Sequence, residues 1–281
     1  MAFNKIKSHA KINLALNIIG KNSSLHNIET IIAFISLHDD IFIKKIAAKK
    51  HKIKFVGKFS GGISKKNTVS KLLFLLEKKS FIKNKKFQIR IDKKTPIKAG
   101  LGGGSMNAAN LFKYFIKKKI IKIGKKEIIT ISNLIGSDVI LGLNISKSFL
   151  SEKKRIKIFP NYKKFYILIV KPNFGCSTNK IYSRVKKFTK PMFNKPNKKL
   201  FNINYLKKMN NALEPIVLSK YSQLKKIKLF LENSSRPFFV RMTGSGSALV
   251  AYFQSKKTCD NAQKIFSKKY KNYWCITSKT I

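Results

Sequence analysis

The sequence predicts an α+β fold with a well-filled core. In some segments apolar residues alternate with polar or small ones, and in others they recur at helical spacing. The two kinds are mixed without a steady strand–helix–strand alternation, which disfavours a doubly wound sheet. Of the 281 residues, 43% are hydrophobic and they run the whole length, enough for one large core or two small ones.

The elements follow in order. Ile12, Leu14, Leu16 and Ile18 alternate as a strand with one buried face, and Lys11 and Asn13 project together from the other. Lys5 and Lys7 precede this apolar stretch, but Asn13 and Asn17 interrupt it and no small-residue cleavage site follows. It therefore reads as a mature strand. No apolar run is long enough to span a bilayer, so a cytoplasmic protein is expected. Residues 31–35 and 40–46 read as strands around a His38-Asp39-Asp40 turn. Residues 69–76 form an apolar helix, and Phe87, Ile89 and Ile91 alternate as a strand. Ala108, Ala109, Leu111, Phe112, Phe115 and Ile116 recur with helical spacing. Residues 128–134 give another helix, stopped by Gly136, and Ser137-Asp138 can cap a short one after it. Residues 165–170 form an apolar strand that opens a second domain. Residues 186–199, rich in Lys, Asn and Pro, have little to bury and read as a mobile surface loop. Residues 213–231 are largely helical; strands follow at 238–242, 248–253 and 273–277, with a helix around 261–266.

Lys and Arg number 61 against 11 Asp and Glu, a formal charge of +50. Such a surface attracts polyanions by counterion release. The excess is nearly all lysine, accompanied by heavy use of isoleucine and asparagine, which is the mark of compositional drift at exposed sites. Arginine is the better residue for specific phosphate or base recognition. The lysines are dispersed and the aromatics fall on apolar faces, so no specific nucleic-acid partner is expected. Cys176, Cys259 and Cys275 lie far apart and make neither a disulfide framework nor a metal-ligand spacing. His9, His26, His38 and His51 show no metal pattern.

The sharpest local signal is the stretch 96–109, PIKAGLGGGSMNAA. Glycines let backbone N–H groups approach a ligand, and a helix start adds unpaired donors and the positive end of its dipole. Together they make a phosphate cradle. No Gly-Lys-Ser/Thr closes it, so it is not a Walker A loop, and it lacks G-x-G-x-x-G spacing. Four glycines in five positions exceed what a packing turn needs.

These residues resemble the second motif of GHMP kinases, Pro-x-x-x-Gly-Leu-Gly followed by small residues and a helix. The triple-glycine version ending Asn107-Ala108-Ala109 is similar to that of the GHMP kinases that act on a cytidine diphosphate ester of methylerythritol. Ala10-Lys11-Ile12-Asn13-Leu14 resembles the opening motif, continuing through Gly20 to His26, and residues 241–247 resemble the third. Gly136-Ser137-Asp138-Val139 and Asn211-Ala212-Leu213-Glu214 also match, in family order.

The resemblance implies a two-lobed α+β fold with its active site in the cleft between lobes. It implies an N-terminal ATP-binding domain over 1–157 and a C-terminal domain over 158–281. The implied reaction is ATP-dependent phosphorylation of a small-molecule alcohol in isoprenoid precursor synthesis. Asp138 is the implied base, an alternative being an N-cap, and Lys11 is its cationic partner. ATP is expected on Pro96, Gly100, Gly102, Gly103, Gly104, Ser105 and Asn107, with Asn67 at or bordering the adenine; a surface turn explains Asn67 equally well. Asn13, His26, Tyr182, Gly244 and Gly246 are expected at the substrate, although Gly244 and Gly246 also suit a plain strand–strand turn. Mg2+ is expected with ATP, on ligands not legible in the sequence.

Several positions depart from the family pattern. Leu25 replaces an aromatic expected to stack on cytosine, leaving Tyr182 on the opposite side. Met106 replaces a serine, Ile140 a proline, and Lys153 and Lys154 stand where small glycines are usual. These changes keep open a GHMP kinase of the homoserine or mevalonate type.

Overall fold

The structure is a computed structural model that describes residues 2–22, 25–143, 147–150, 156–159, 164–193 and 198–281. In chain order its elements are β1 (Asn4–Asn22), β2 (Leu25–Ile46), β3 (Lys52–Val56), α1 (Thr68–Lys78), β4 (Lys86–Asp92), α2 (Gly103–Lys117), α3 (Lys125–Ile135) and α4 (Val139–Gly142). There follow β5 (Lys147–Leu150), β6 (Ile156–Phe159), β7 (Tyr166–Lys171), α5 (Thr178–Tyr182), a 3-10 helix (Lys198–Phe201), α6 (Ile203–Lys208), α7 (Glu214–Lys220) and α8 (Ser222–Ser235). The chain ends with β8 (Phe239–Met242), β9 (Leu249–Phe253), α9 (Lys256–Lys269) and β10 (Trp274–Lys279). This is the expected α+β architecture. One sheet runs β3-β4-β2-β5-β6 with β1 on β2, and a second, antiparallel sheet runs β10-β7-β9-β8.

Two compact units share the chain. The first holds Met1–Ala10, Leu37–Ile97 and Gly102–Ile145; the second holds Lys11–Ser36, Lys98–Leu101 and Ser146–Ile281. The units interleave, and the expected boundary at 157/158 falls inside β6. Each unit has its own core. In the first, Leu72, Leu73 and Leu76 of α1 and Phe112 and Phe115 of α2 pack with Ile89 and Ile91 of β4. In the second, Leu224, Ile227 and Leu231 of α8 and Phe266 of α9 pack with Leu168 and Val170 of β7.

Three expectations need correction. Residues 38–40 are not a turn: β2 is one strand of 22 residues, and Asp40 pairs in register with Asp92. The acids are tolerated because their charges are met from β4 and beyond, Asp39 by Lys93 and Asp40 by Lys94. β1 is buried on both faces from Ala10 to Ile18, so Lys11 and Asn13 point into protein rather than solvent.

The segment after residue 186 is also tethered where it is described. Phe193 is buried, and the fully buried carboxylate of Glu29 accepts the amides of Met192 (2.7 Å) and Phe193 (3.0 Å). The Thr189 amide donates to Ile18 O at 2.8 Å. Residues 194–197 lie outside the described residues. Residues 213–231 are largely helical as expected, in two helices, α7 and α8, which meet at Tyr221.

Candidate active site

The first unit contains the helix start. α2 begins at Gly103 with Gly102 as its N-cap at φ +68°, a conformation that favours glycine, and no side chain caps it. Its first-turn N–H groups thus lack an intrahelical or capping partner, and the helix dipole is positive there. Gly104 is exposed at the second helical position. An added Cβ there meets only the Thr68 side chain, at 3.3 Å, whereas on Gly103 it meets Thr95 at 3.0 Å and the Lys93 ammonium at 3.2 Å. Beneath the turn, buried Thr95 Oγ1 and Asn107 Oδ1 have no hydrogen-bond partner among the described residues. An uncapped, glycine-lined helix start with a bare approach at Gly104 fits a polyphosphate.

Asp138 lies in the same unit, directly before α4. α4 lies flat on α2 because Gly142 is a glycine: a Cβ there would fall 2.6 Å from the Ala109 Cβ. The turn leading into α4 passes beside the first turn of α2, since a Cβ on Gly136 would sit 3.9 Å from the Ser105 hydroxyl oxygen. Asp138 occupies the N-cap position but makes no capping hydrogen bond, so the capping alternative is not realised. Four of the 11 acids (Glu29, Asp39, Asp40 and Glu214) are buried and bonded to backbone amides or lysines, which commits them to structure.

Asn67 and Asn107 both make hydrogen bonds within the protein. Asn67 caps α1: its Oδ1 accepts from the amides of Val69 and Ser70, and its Nδ2 donates to Ser64 O and Lys65 O. That side chain has no capacity left over. Asn107 is 1% exposed and donates to Asp39 at 3.0 Å, so it braces the turn from inside. Pro96 ends the segment whose amides Asp39 holds, Lys94 N at 2.9 Å and Thr95 N at 2.8 Å.

The second unit contains Lys11. In a chain with so many lysines, only Lys11 and Lys93 are buried among the described residues, at 4% and 3% exposure. Drift at exposed sites does not place a lysine there, because burying an ammonium is costly unless it is used. Lys11 Nζ donates to Asn13 Oδ1 at 2.8 Å, and Asn13 Nδ2 donates to Thr30 Oγ1 at 2.8 Å. Asn13 thereby aims Lys11 and is itself held by Thr30.

Lys98–Leu101, the front of the glycine-rich stretch, also belongs to this unit. Leu101 O accepts the Lys11 amide at 3.1 Å, and Gly100 O accepts the Thr243 hydroxyl at 3.2 Å. Gly100 has φ +73°, and a Cβ on it would lie 1.9 Å from Thr243 O. The glycine is required by backbone packing. Gly244 presses back on Gly100 (3.0 Å from its Cβ position), and Gly246 lies against Met242 and Cys176. Gly244 and Gly246 thus form a β8–β9 turn that packs on residues 98–101. Asn211 ties that turn down, donating to Met242 O and Gly244 O at 2.8 Å each, which accounts for the motif at 211–214. Gly100→Ala is expected to cost about 2–4 kcal/mol, from a strained φ and backbone overlap. Gly61→Ala, with nothing within 4 Å, should cost much less; chemical denaturation of both variants checks the contrast.

His26 and Tyr182 are in contact, with ring centroids 5.1 Å apart, and Phe188 lies 6.4 Å from His26. This is one aromatic surface. The expected arrangement, with Tyr182 across a base from position 25, is not what these rings make by themselves; the Leu25 side chain lies outside the described residues, as do Glu152, Lys153 and Lys154. Burial, reinforced by the Lys21 charge, lowers the His26 pKa below its ordinary value, so the imidazole is neutral at pH 7.

Sequence reasoning missed Asp39, Lys93, Thr243 and the pairing of Gly136 with Ser105. Two adjacent acids, in a chain with only 11 acidic residues, were the available signal for Asp39.

The fold and the helix start define a class. The GHMP kinases N terminal domain matches residues 67–149. A 4-diphosphocytidyl-2-C-methyl-D-erythritol kinase from Pelagibacter ubique is 56% identical over 99% of both chains, and one from Clostridium tetani is 31% identical over 99% of this chain and 100% of its own. The chain therefore belongs to the 4-diphosphocytidyl-2-C-methyl-D-erythritol kinase family of GHMP kinases, and it is an enzyme. Among solved structures, a 4-(cytidine 5'-diphospho)-2C-methyl-D-erythritol kinase superposes with TM-score 0.78 at 19% identity, covering 99% of this chain and 100% of that one. A homoserine kinase from Cytophaga hutchinsonii follows at TM-score 0.64 and 15% identity, covering 100% of this chain and 97% of that one; both share the fold.

Proposed function

We propose that the protein transfers the γ-phosphoryl group of ATP to the 2-hydroxyl of 4-diphosphocytidyl-2-C-methyl-D-erythritol, in the cytoplasm, on the non-mevalonate route to isoprenoid precursors. One observation supports this chemistry: a Cβ on Gly136, two residues before Asp138, would sit 3.9 Å from the Ser105 hydroxyl oxygen in the uncapped first turn of α2. Phosphoryl transfer is chiefly positioning and charge stabilisation, with a base to receive the hydroxyl proton.

In this reading the N–H groups of Gly103, Gly104 and Ser105 hold the triphosphate, and Gly102 gives the turn its shape. Asp138 accepts the proton of the attacking 2-hydroxyl. Lys11, aimed by Asn13, offsets negative charge developing on the transferring phosphoryl oxygens. Mg2+ supplies charge neutralisation to the phosphates.

Substrate selection falls to the aromatic surface. A neutral His26 has one donor and one acceptor nitrogen for a base edge, and Tyr182 offers a face worth about 1–3 kcal/mol in stacking. His26→Ala is expected to raise the KM for the cytidyl substrate about tenfold and leave the KM for ATP unchanged. The proposal is tested by comparing the wild type on the cytidyl ester and on the same ester lacking cytidine. A large preference for the former supports it, and equal use of both removes the nucleobase site.

A further inference from the structure

We infer that Asp39, through its buried ion pair with Lys93, is a positioning residue for the triphosphate; this rests on the phosphate cradle proposed above. The Asp39 carboxylate is 0% exposed and has four donors. Oδ1 accepts the amides of Lys94 (2.9 Å) and Thr95 (2.8 Å), and Oδ2 accepts Asn107 Nδ2 (3.0 Å) and the Lys93 ammonium. Lys94 and Thr95 lead directly into the glycine-rich stretch, and Asn107 lies on α2 just past it. One side chain therefore fixes both the entry and the exit of the phosphate-binding backbone.

The cation beneath the helix start has its own consequence. Lys93 is 3% exposed, and its nitrogen lies 3.2 Å from where a Gly103 Cβ would be. An ammonium against the positive end of a helix dipole is repulsive. Asp39 offsets that repulsion and holds the ammonium in place. A polyanion arriving above α2 meets both the helix end and a fixed charge behind it, in a region where water screens little. Fold stability alone does not call for such a pair, since an apolar pair of the same shape commonly does as well. Surface drift does not call for it either, because Lys93 is not at the surface.

The test separates support of the fold from support of the ligand. Asp39→Asn alone strands the Lys93 charge and should lower Tm sharply. The double variant Asp39→Asn/Lys93→Met removes both charges with little change of shape. In it the new amide keeps an acceptor for Lys94 N and Thr95 N, and a flipped Asn107 can offer its now unpartnered Oδ1 to the new donor. Its Tm should return to near that of the wild type. Its affinity for ATP, read by displacement of a fluorescent adenine nucleotide, should fall on the order of tenfold to a hundredfold, with the KM of the alcohol unchanged. Full recovery of ATP affinity together with Tm would make the pair structural only and overturn the inference. Failure of the wild type itself to bind ATP would overturn the cradle, and the inference with it.

Discussion

Asp138→Asn is expected to lower kcat by about 10²- to 10⁴-fold, the usual cost of losing a general base. ATP affinity should change little, because the phosphates are assigned to backbone N–H groups of α2 and not to this side chain. Stability should change much less than the rate, because the amide keeps the shape and hydrogen-bonding capacity of the side chain. The split between rate and binding is the informative part. A structural aspartate would lose Tm and both kinetic constants together. Single-turnover rates, nucleotide titration and thermal melting on one preparation measure all three. Near-normal turnover in a folded, ATP-binding variant would leave the mechanism without its base.

Gly104→Val is expected to abolish useful ATP binding in a folded protein. The position is exposed, and a Cβ there touches only the Thr68 side chain, so the helix can form around it. The branched side chain then stands where phosphate oxygens approach. Losing two charge-assisted hydrogen bonds at about 1.5 kcal/mol each costs about a hundredfold in affinity. Gly103 is a poorer choice for this test, since Thr95 and Lys93 already crowd its Cβ position and a substitution there mixes folding with binding. Unchanged nucleotide affinity in Gly104→Val, with native circular dichroism, would refute the cradle.

Periodicity and glycine spacing carried much of this in advance. The apolar alternation at 87, 89 and 91 is β4, the helical spacing from Ala108 to Phe115 is α2, and Gly136 ends α3. The glycine run pointed to a helix start with unpaired N–H donors, and Lys11 is one of two buried lysines among the described residues. What was not legible depends on partners distant in sequence. His38-Asp39-Asp40 looked like a turn because charges seldom occupy the middle of a strand; partners distant in sequence, among them Lys93 and Lys94 some 54 residues away, let them stand in one. Gly100 was read as a ligand contact, and nothing local reveals that it also packs on Thr243, 143 residues on. Residues 186–193 looked unanchored because nothing local reveals that Glu29 caps their amides. Composition also could not tell which hydrogen bonds Asn13, Asn67 and Asn107 make within the protein.

The most direct measurement offers the wild-type protein γ-labelled ATP with 4-diphosphocytidyl-2-C-methyl-D-erythritol, homoserine or mevalonate in parallel. Label should appear on the 2-hydroxyl of the cytidyl substrate, with kcat/KM at least about a hundredfold above either alternative. Transfer to homoserine or mevalonate with equal or greater efficiency, or none to the cytidyl substrate, would contradict the proposed function.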